Sequence, residues 1–221
     1  MKKYILSVLL GGAFMFTACS DFLDEEPKGD ITSEGYYKTA QHAISATNAI
    51  YDYLIIGYAP NGLWDKNYGG TFYNDYWVLQ DMFADNSETN QTSIDYQSVE
   101  NMQIDQYNQP VELLWRDFYQ TIKCCNVVID KVPSIDMDVT LRNQLVAEAK
   151  FFRAMMYFDL IRMFGDVPLR EHNVESAAED VTSRTSKETI YELIFSDLKT
   201  AETDLKYAER FGGGRPYPAS A

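Results

Sequence analysis

Positive charge is scarce in this chain. It carries 19 lysines and arginines against 33 aspartates and glutamates, a formal net charge of −14 over 221 residues. Loss of a leader that holds Lys2 and Lys3 leaves 17 bases against the 33 acids. No basic patch is available to neutralise a nucleic-acid backbone or to dock on anionic lipid. Histidine is nearly absent, with only His42 and His172. A metal site needs three or four converging ligands, and none can be assembled around either histidine. Of three cysteines, Cys124 and Cys125 are adjacent, and neighbours in sequence bridge only with strained geometry. They read as free thiols, with Cys125 on an apolar stripe where a small thiol packs well. There is no glycine-rich phosphate loop and no nucleophile elbow. Carboxylates are so common that a catalytic pair cannot be singled out. The chain is therefore read as a non-enzyme with no cofactor and no metal. What is present is ordinary globular material: 46% hydrophobic and 24% charged residues, enough for one domain or one and a half.

The strongest periodic signal runs from Leu141 to Pro168, LRNQLVAEAKFFRAMMYFDLIRMFGDVP. Leu141, Leu145, Ala149, Phe152, Met156, Leu160 and Met163 recur at three- and four-residue steps, one face of a helix. Asp138 is placed to cap its start, and Gly165 followed by Pro168 ends it. Phe151, Met155 and Phe158 widen the apolar face, so the spacing predicts packing on more than one side. Arg153, Asp159 and Asp166 read as solvated or capping groups. Thr39 can cap an earlier helix running to about Leu54. The text from Ile55 to Asp75 is rich in Gly, Asn, Tyr and Trp and reads as a loop, and a second helix is expected over 72–84. Residues 85–109 show no sustained period and read as a long irregular excursion, of the kind that is either functional or disordered. Pro110 opens a helix carrying Leu114, Trp115, Phe118, Ile122, Cys125, Val128 and Val132, which Pro133 ends. Thr185 to Glu188 fits a capping box before a last helix marked by Ile190, Ile194, Leu198, Ala201 and Leu205. The result is an all-α body of four or five helices with long irregular loops. No clean 34-residue period is found.

The N-terminus reads MKKYILSVLLGGAFMFTAC. Two lysines precede an apolar run from Tyr4 to Phe16, too short to span a bilayer, and small residues lead into Cys19. This is a signal peptide. The cysteine after small residues resembles a bacterial lipobox, with Phe16 standing where leucine is commoner; the alternative is an ordinary thiol behind a plain cleavage site. Lipid chains anchor by burying methylenes, and two or more give stable attachment. Asp21, Asp24, Glu25, Glu26 and Asp30 then face only Lys28, an acidic tether extended by its own repulsion.

The text AEAKFFRAMMYFDLIRMFGDVPL, with Arg153, the run from Tyr157 to Leu160 and the ending from Phe164 to Pro168, resembles the signature helix of the SusD/RagB family of Bacteroidetes outer-membrane lipoproteins. QHAISATNAIYDYL resembles the family's first helix, and LWRDFYQTIKCCNVVIDKV its next one, with Trp115, Tyr119, Ile122 and Asn126 in place. The resemblance implies tetratricopeptide-like helical hairpins. It divides the chain into a signal peptide (1–18), a lipidated cysteine with an acidic tether (19–35), a SusD-like N-terminal helical domain (36–211) and a truncated C-terminal end (212–221). Family members are usually about twice this length. The acidic stretch after Cys19 resembles a surface-export signal. The implied function is a surface-exposed, lipid-anchored outer-membrane protein that captures an oligosaccharide or other nutrient for a SusC-like TonB-dependent transporter. The alternative is a helical-repeat interaction module that binds only the transporter or a peptide.

Aromatic residues outside the helical stripes mark the candidate contacts. Sugars offer flat C–H faces to aromatic rings, and hydroxyls to amides and carboxylates. Trp64, Tyr73, Trp77, Tyr96 and Tyr107, with Asp85, Asn86 and Asn101, supply both in or near the two irregular stretches. Asn67, Tyr68 and Tyr76 lie close by in sequence. The same rings suit packing under loops, or a protein interface, where Tyr and Trp are also enriched.

Overall fold

The computed structural model describes residues 36–58, 64–69, 71–72, 75–90, 92–174 and 183–205, with backbone alone for 56–58 and 64–69. The signal peptide, Cys19 and its tether, Tyr73, the side chains of Trp64, Asn67 and Tyr68, and the end from 212 to 221 lie outside the described residues. Apart from Tyr36, everything described belongs to the unit Tyr37–Ala221.

Among the described residues, four long helices form the body: α1 (Ala40–Ile55), α4 (Gln109–Lys131), α5 (Val139–Phe164) and α6 (Lys187–Asp204). Between α1 and α4 lie a two-stranded ribbon, β1 (Ile56–Tyr58) and β2 (Trp64–Gly69), and two short helices, α2 (Asp75–Trp77) and α3 (Ile94–Glu100). The fold is helical, as the periodicity predicts, and the stretch read as a plain loop holds the antiparallel ribbon. Its apolar content is too low, and its register too irregular, to announce strands in sequence. The helix expected over 72–84 is only a turn of α2 continued by a π turn, Val78–Met82. The excursion 85–109 contains α3, too short for a visible period.

The helix ends follow local chemistry. The Asp138 carboxylate accepts from the Leu141 N–H at 2.8 Å, capping α5, and Gly165 closes it at φ +71°. Thr39 Oγ1 accepts from the His42 N–H at 3.3 Å at the start of α1. At α6 the cap is Ser186, whose hydroxyl accepts from the Thr189 N–H, and not Thr185 as the capping-box pattern suggests. Asp166 helps from the end of α5, accepting from the Lys187 N–H at 3.0 Å. Here a carboxylate meets the positive end of the α6 dipole.

Helix α5 packs against α1, α4 and α6, which is why its buried residues fall all round it, from Leu145 to Ile161. Its early residue Ala147 clusters with Ala201 and Leu205 at the far end of α6, and Asp166 meets the start of α6, so the two run antiparallel. Trp115 at the start of α4 meets Phe164 at the end of α5, ring centroids 4.9 Å apart, so that pair is antiparallel too. Leu114, Phe118, Ile122, Leu145, Met156 and Leu160 are fully buried in one cluster. Burying each such side chain is worth roughly 1.5–3 kcal/mol.

A buried polar network runs through the same helices. Arg153, read from sequence as solvated or capping, is only 4% exposed. Its guanidinium donates to both oxygens of Asp197 on α6 at 2.7 and 2.9 Å, to Asn126 Oδ1 on α4 at 2.8 Å, and to the Glu171 carbonyl at 2.8 Å. Burial works against its charge, the Asp197 bond overcomes that, and the pKa of Arg153 moves up. Asp159 is also buried, accepting from Tyr76 and Arg162. Only Asp166 has the capping role that the sequence suggests. Asn126 donates to the carbonyls of Arg170 and His172, Tyr119 to that of Pro168, and Tyr157 to that of Arg170. The segment 168–172 is thereby strapped across α4 and α5. The two cysteines are free thiols; burial pushes Cys124 up to about 12, and Cys125 well above its ordinary value. Among the described residues, no helix is long and apolar enough to cross a membrane.

Candidate ligand-binding cleft

A small second core lies between α1 and α4 in sequence. Val78 and Met82 from the π turn and Val99 from α3 are buried together, with Leu79, Tyr96 and Ile104 against them. A π turn adds a residue to the helical ring and recurs at functional sites. Here Val78 and Met82 both reach this core, while Trp77 and Asp81 face a cleft.

The cleft has a volume of about 720 Å³ and is lined by Trp77, Asp81, Met82, Ser87 to Asn90, and Tyr96. That lies inside the range of small-ligand sites, roughly 300–1,000 Å³. Trp77 is 46% exposed, an unusual state for the largest apolar side chain. The loop 83–90 is folded back on itself: the Ser87 hydroxyl donates to the Asp81 carbonyl at 2.9 Å, and the Thr89 N–H to Glu100 at 3.2 Å.

The base of the cleft is tied to the body. The Tyr96 hydroxyl donates to Asp75 Oδ1 at 3.5 Å, and Asp75 is buried near Asp117 and Arg116 of α4. Burial pushes the Asp75 carboxyl up to about 6; the negative Asp117 adds to this, while Tyr96 and Arg116 oppose it. Asp117 itself moves up by burial, against the pull of Arg116, which grips it at 2.9 and 3.0 Å. Asn108 fixes the other side. Its amide donates to the Asp95 carbonyl and the Ser98 hydroxyl of α3, and its oxygen caps α4 by accepting from the Val111 N–H.

Of the residues singled out in sequence, the structure brings Trp77 and Tyr96 together in this cleft. Asp85 and Asn86 are exposed on the same loop but do not line it. Asn101 is spent on its own helix, donating to the Gln97 carbonyl at 2.7 Å at the end of α3. Tyr107 is 79% exposed in the turn before α4. The Trp64 side chain and Tyr73 lie outside the described residues. Asp81, Met82 and Ser87 to Asn90 escaped the sequence reading. The four-residue spacing of Trp77 and Asp81 was the available signal for Asp81. Among the described residues, no three histidine, cysteine or carboxylate side chains group to hold a metal.

The family model described as starch-binding and associating with the outer membrane matches residues 21–207. Two SusD-like proteins of Formosa agariphila are 31% and 30% identical, over 100% and 93% of this chain and 41% and 39% of their own. The chain thus spans about two fifths of the length of these curated relatives. Among solved structures, a laminarin-binding SusD-like protein superposes with TM-score 0.66 at 26% identity, over 82% of this chain and 38% of that one. A SusD superfamily protein of Bacteroides vulgatus reaches TM-score 0.70 at 21% identity, over 83% and 38%, a likeness of fold. With residues 21–207 matched, well over half of its length, the chain belongs to the SusD-like family.

Proposed function

We propose that this chain is the helical N-terminal part of a surface glycan-binding lipoprotein. It captures an oligosaccharide through the Trp77–Tyr96 cleft and passes it to a SusC-like TonB-dependent transporter. Lipid on Cys19 holds it at the outer membrane, residues 19–35 serve as the tether, and 36–211 form the domain. It binds and does not catalyse. The observation that carries this reading is that α2, α3 and the segment between them bring two aromatic rings, Trp77 and Tyr96, and several hydrogen-bonding side chains to one cleft. A ring face beside polar groups is what a sugar needs. Family membership supports the same reading.

Affinity electrophoresis of the full chain against a panel of polysaccharides tests it. Retardation by at least one glycan is expected. Trp77→Ala is expected to weaken that binding by about 2 kcal/mol, roughly thirty-fold in Kd. A second reading, a module that docks only on the transporter or a peptide, has one observation in its favour. Phe195 on α6 is 63% exposed and stacks on Tyr191, outside the cleft lining. No retardation on any glycan, with transporter binding intact, would sink the first reading in favour of the second.

A further inference from the structure

We infer that this cleft selects its ligand by charge. It takes uncharged oligosaccharides and turns away those bearing uronate or sulfate groups. The inference rests on the glycan reading above and adds the chemical class of the sugar.

The cleft joins an aromatic surface to negative charge that, among the described residues, no basic side chain of its lining neutralises. Asp81 and Glu88 line it beside Trp77 and Tyr96, and among the described residues its lining contains no lysine, arginine or histidine. The absence extends along the chain. Between Lys66 and Arg116 there is no basic residue at all, while eight acids fall in that interval, from Asp75 to Glu112. Arg116, which ends the gap, is engaged by Asp117 at 2.9 Å. Among the described residues, neither Asp81 nor Glu88 is in an ion pair. Glu100 of α3 adds to the same side, where it holds the loop through the Thr89 N–H.

A carboxylate only accepts hydrogen bonds, so it suits the hydroxyl donors of a neutral sugar. An anionic group has no donor for it and meets like charge instead. In a cleft of this size, any anion stands within about a Debye length of both carboxylates, ~10 Å at 0.1 M salt. One like-charge pair about 7 Å apart in a water-like dielectric weakens binding roughly three-fold, and two weaken it roughly ten-fold. Recognition of uronate or sulfate ordinarily uses arginine forks or lysine, and the described lining of this cleft has neither.

The test uses a matched pair of ligands. One is the neutral polysaccharide that retards the full chain most strongly; the other is the same polymer oxidised at C6 to the uronate. Kd is measured for both at low and at high salt. At low salt the neutral polymer is expected to bind at least about ten-fold more tightly, and the gap is expected to shrink at high salt. In the double variant Asp81→Asn with Glu88→Gln the ratio of the two Kd values is expected to fall to about three or less. Both side chains are exposed, so the variant is expected to fold. Equal binding of the two polymers overturns the charge selection and leaves the glycan reading standing. So does a gap that survives both high salt and the double substitution. Failure of every glycan in the panel to bind overturns the glycan reading itself, and the selection with it.

Discussion

The hairpins α4–α5–α6 and the cleft segment 75–108 solve the same problem in opposite ways. Both must place polar side chains among apolar ones. In the hairpins the polar groups turn inward and satisfy one another. Arg153, Asp197 and Asn126 are buried, and the strap 168–172 supplies carbonyls for the donors that remain. In the cleft segment the apolar residues form only a small core around Val78, Met82 and Val99, and apart from Asp75 and Asn108 at its base the polar groups stay wholly or partly open to solvent. The hairpins gain one specific arrangement, because buried polar groups cost several kcal/mol when unmatched. The cleft segment gives up that constraint and keeps Trp77, Asp81 and Tyr96 on the wall of an open cleft.

The largest expected effect comes from breaking the hairpin network. Arg153→Met leaves Asp197 buried without its partner, and Asn126 Oδ1 and the Glu171 carbonyl without a donor. Removing one member of a buried ion pair costs about 3–5 kcal/mol. Urea unfolding should show that loss. Adding Asp197→Leu should restore much of it, since apolar replacement of a whole buried pair is often close to neutral. If Arg153→Met unfolds at the wild-type midpoint, the contrast between the two regions fails, because the network would then be no more binding than surface charge.

That network also shows where the sequence was and was not legible. Helix α5 could be read nearly to the residue, because its cap Asp138, its apolar repeat and its terminator Gly165 are all local signals. The role of Arg153 was not legible, because it depends on Asp197, 44 residues away on another helix. The signal was there in part. Arg153 falls four residues before buried Tyr157, and Asn126 four after buried Ile122, so both sit on apolar stripes. A polar residue on such a stripe is either a partner in a buried network or a solvated edge, and spacing alone does not decide. In the cleft segment, Trp77 and Tyr96 stood out as aromatic material without a helical role. Asp81, Glu88 and Asn90 beside them did not, because the π turn and the short loop after it show no period. The capping-box pattern from Thr185 to Glu188 points to Thr185 as the α6 cap; in the folded chain the Thr185 backbone is bridged to Val167, and Asp166 guards the helix start from outside.

The next effect lies at the seam between the regions. Burial raises the Asp75 carboxyl to about 6, above the 3.8 of the unfolded chain. Between these values the folded protein keeps a proton that the unfolded chain has lost. The contribution of Asp75 to stability is therefore fully present below about pH 4 and is lost as the pH rises through about 6. Asp75→Asn keeps the shape and removes the titration. Its unfolding free energy relative to wild type should move in favour of the variant as the pH rises from 4 to 6, by on the order of 2 kcal/mol. Urea midpoints across that range measure it. A difference independent of pH would mean that Asp75 is hydrated in the folded state, and that the base of the cleft is not closed by α4.

The smallest effects set two backbone positions against each other. Each region has one described residue at positive φ: Gly165 at +71° ending α5, and Met102 at +55° just past α3. Both terminate helices. At Met102 the bonds are those of a Schellman turn, Gln103 N–H to the Ser98 carbonyl at 2.8 Å and Met102 N–H to the Val99 carbonyl at 3.1 Å. A left-handed backbone costs an L-residue roughly 1–2 kcal/mol, and glycine gives part of that back in unfolded-chain entropy. The hairpins carry glycine at this position and the cleft segment carries an exposed methionine. Met102→Gly should therefore stabilise by about 0.5–1 kcal/mol, while Gly165→Ala should destabilise by about 1 kcal/mol or more, although a Cβ there would meet nothing within 4 Å. Thermal unfolding of the two variants gives opposite shifts if strain is tolerated beside the cleft and removed from the hairpins. Destabilisation by Met102→Gly would show that its side chain holds the end of α3 in place, and that the cleft segment is as closely specified as the helices beneath it.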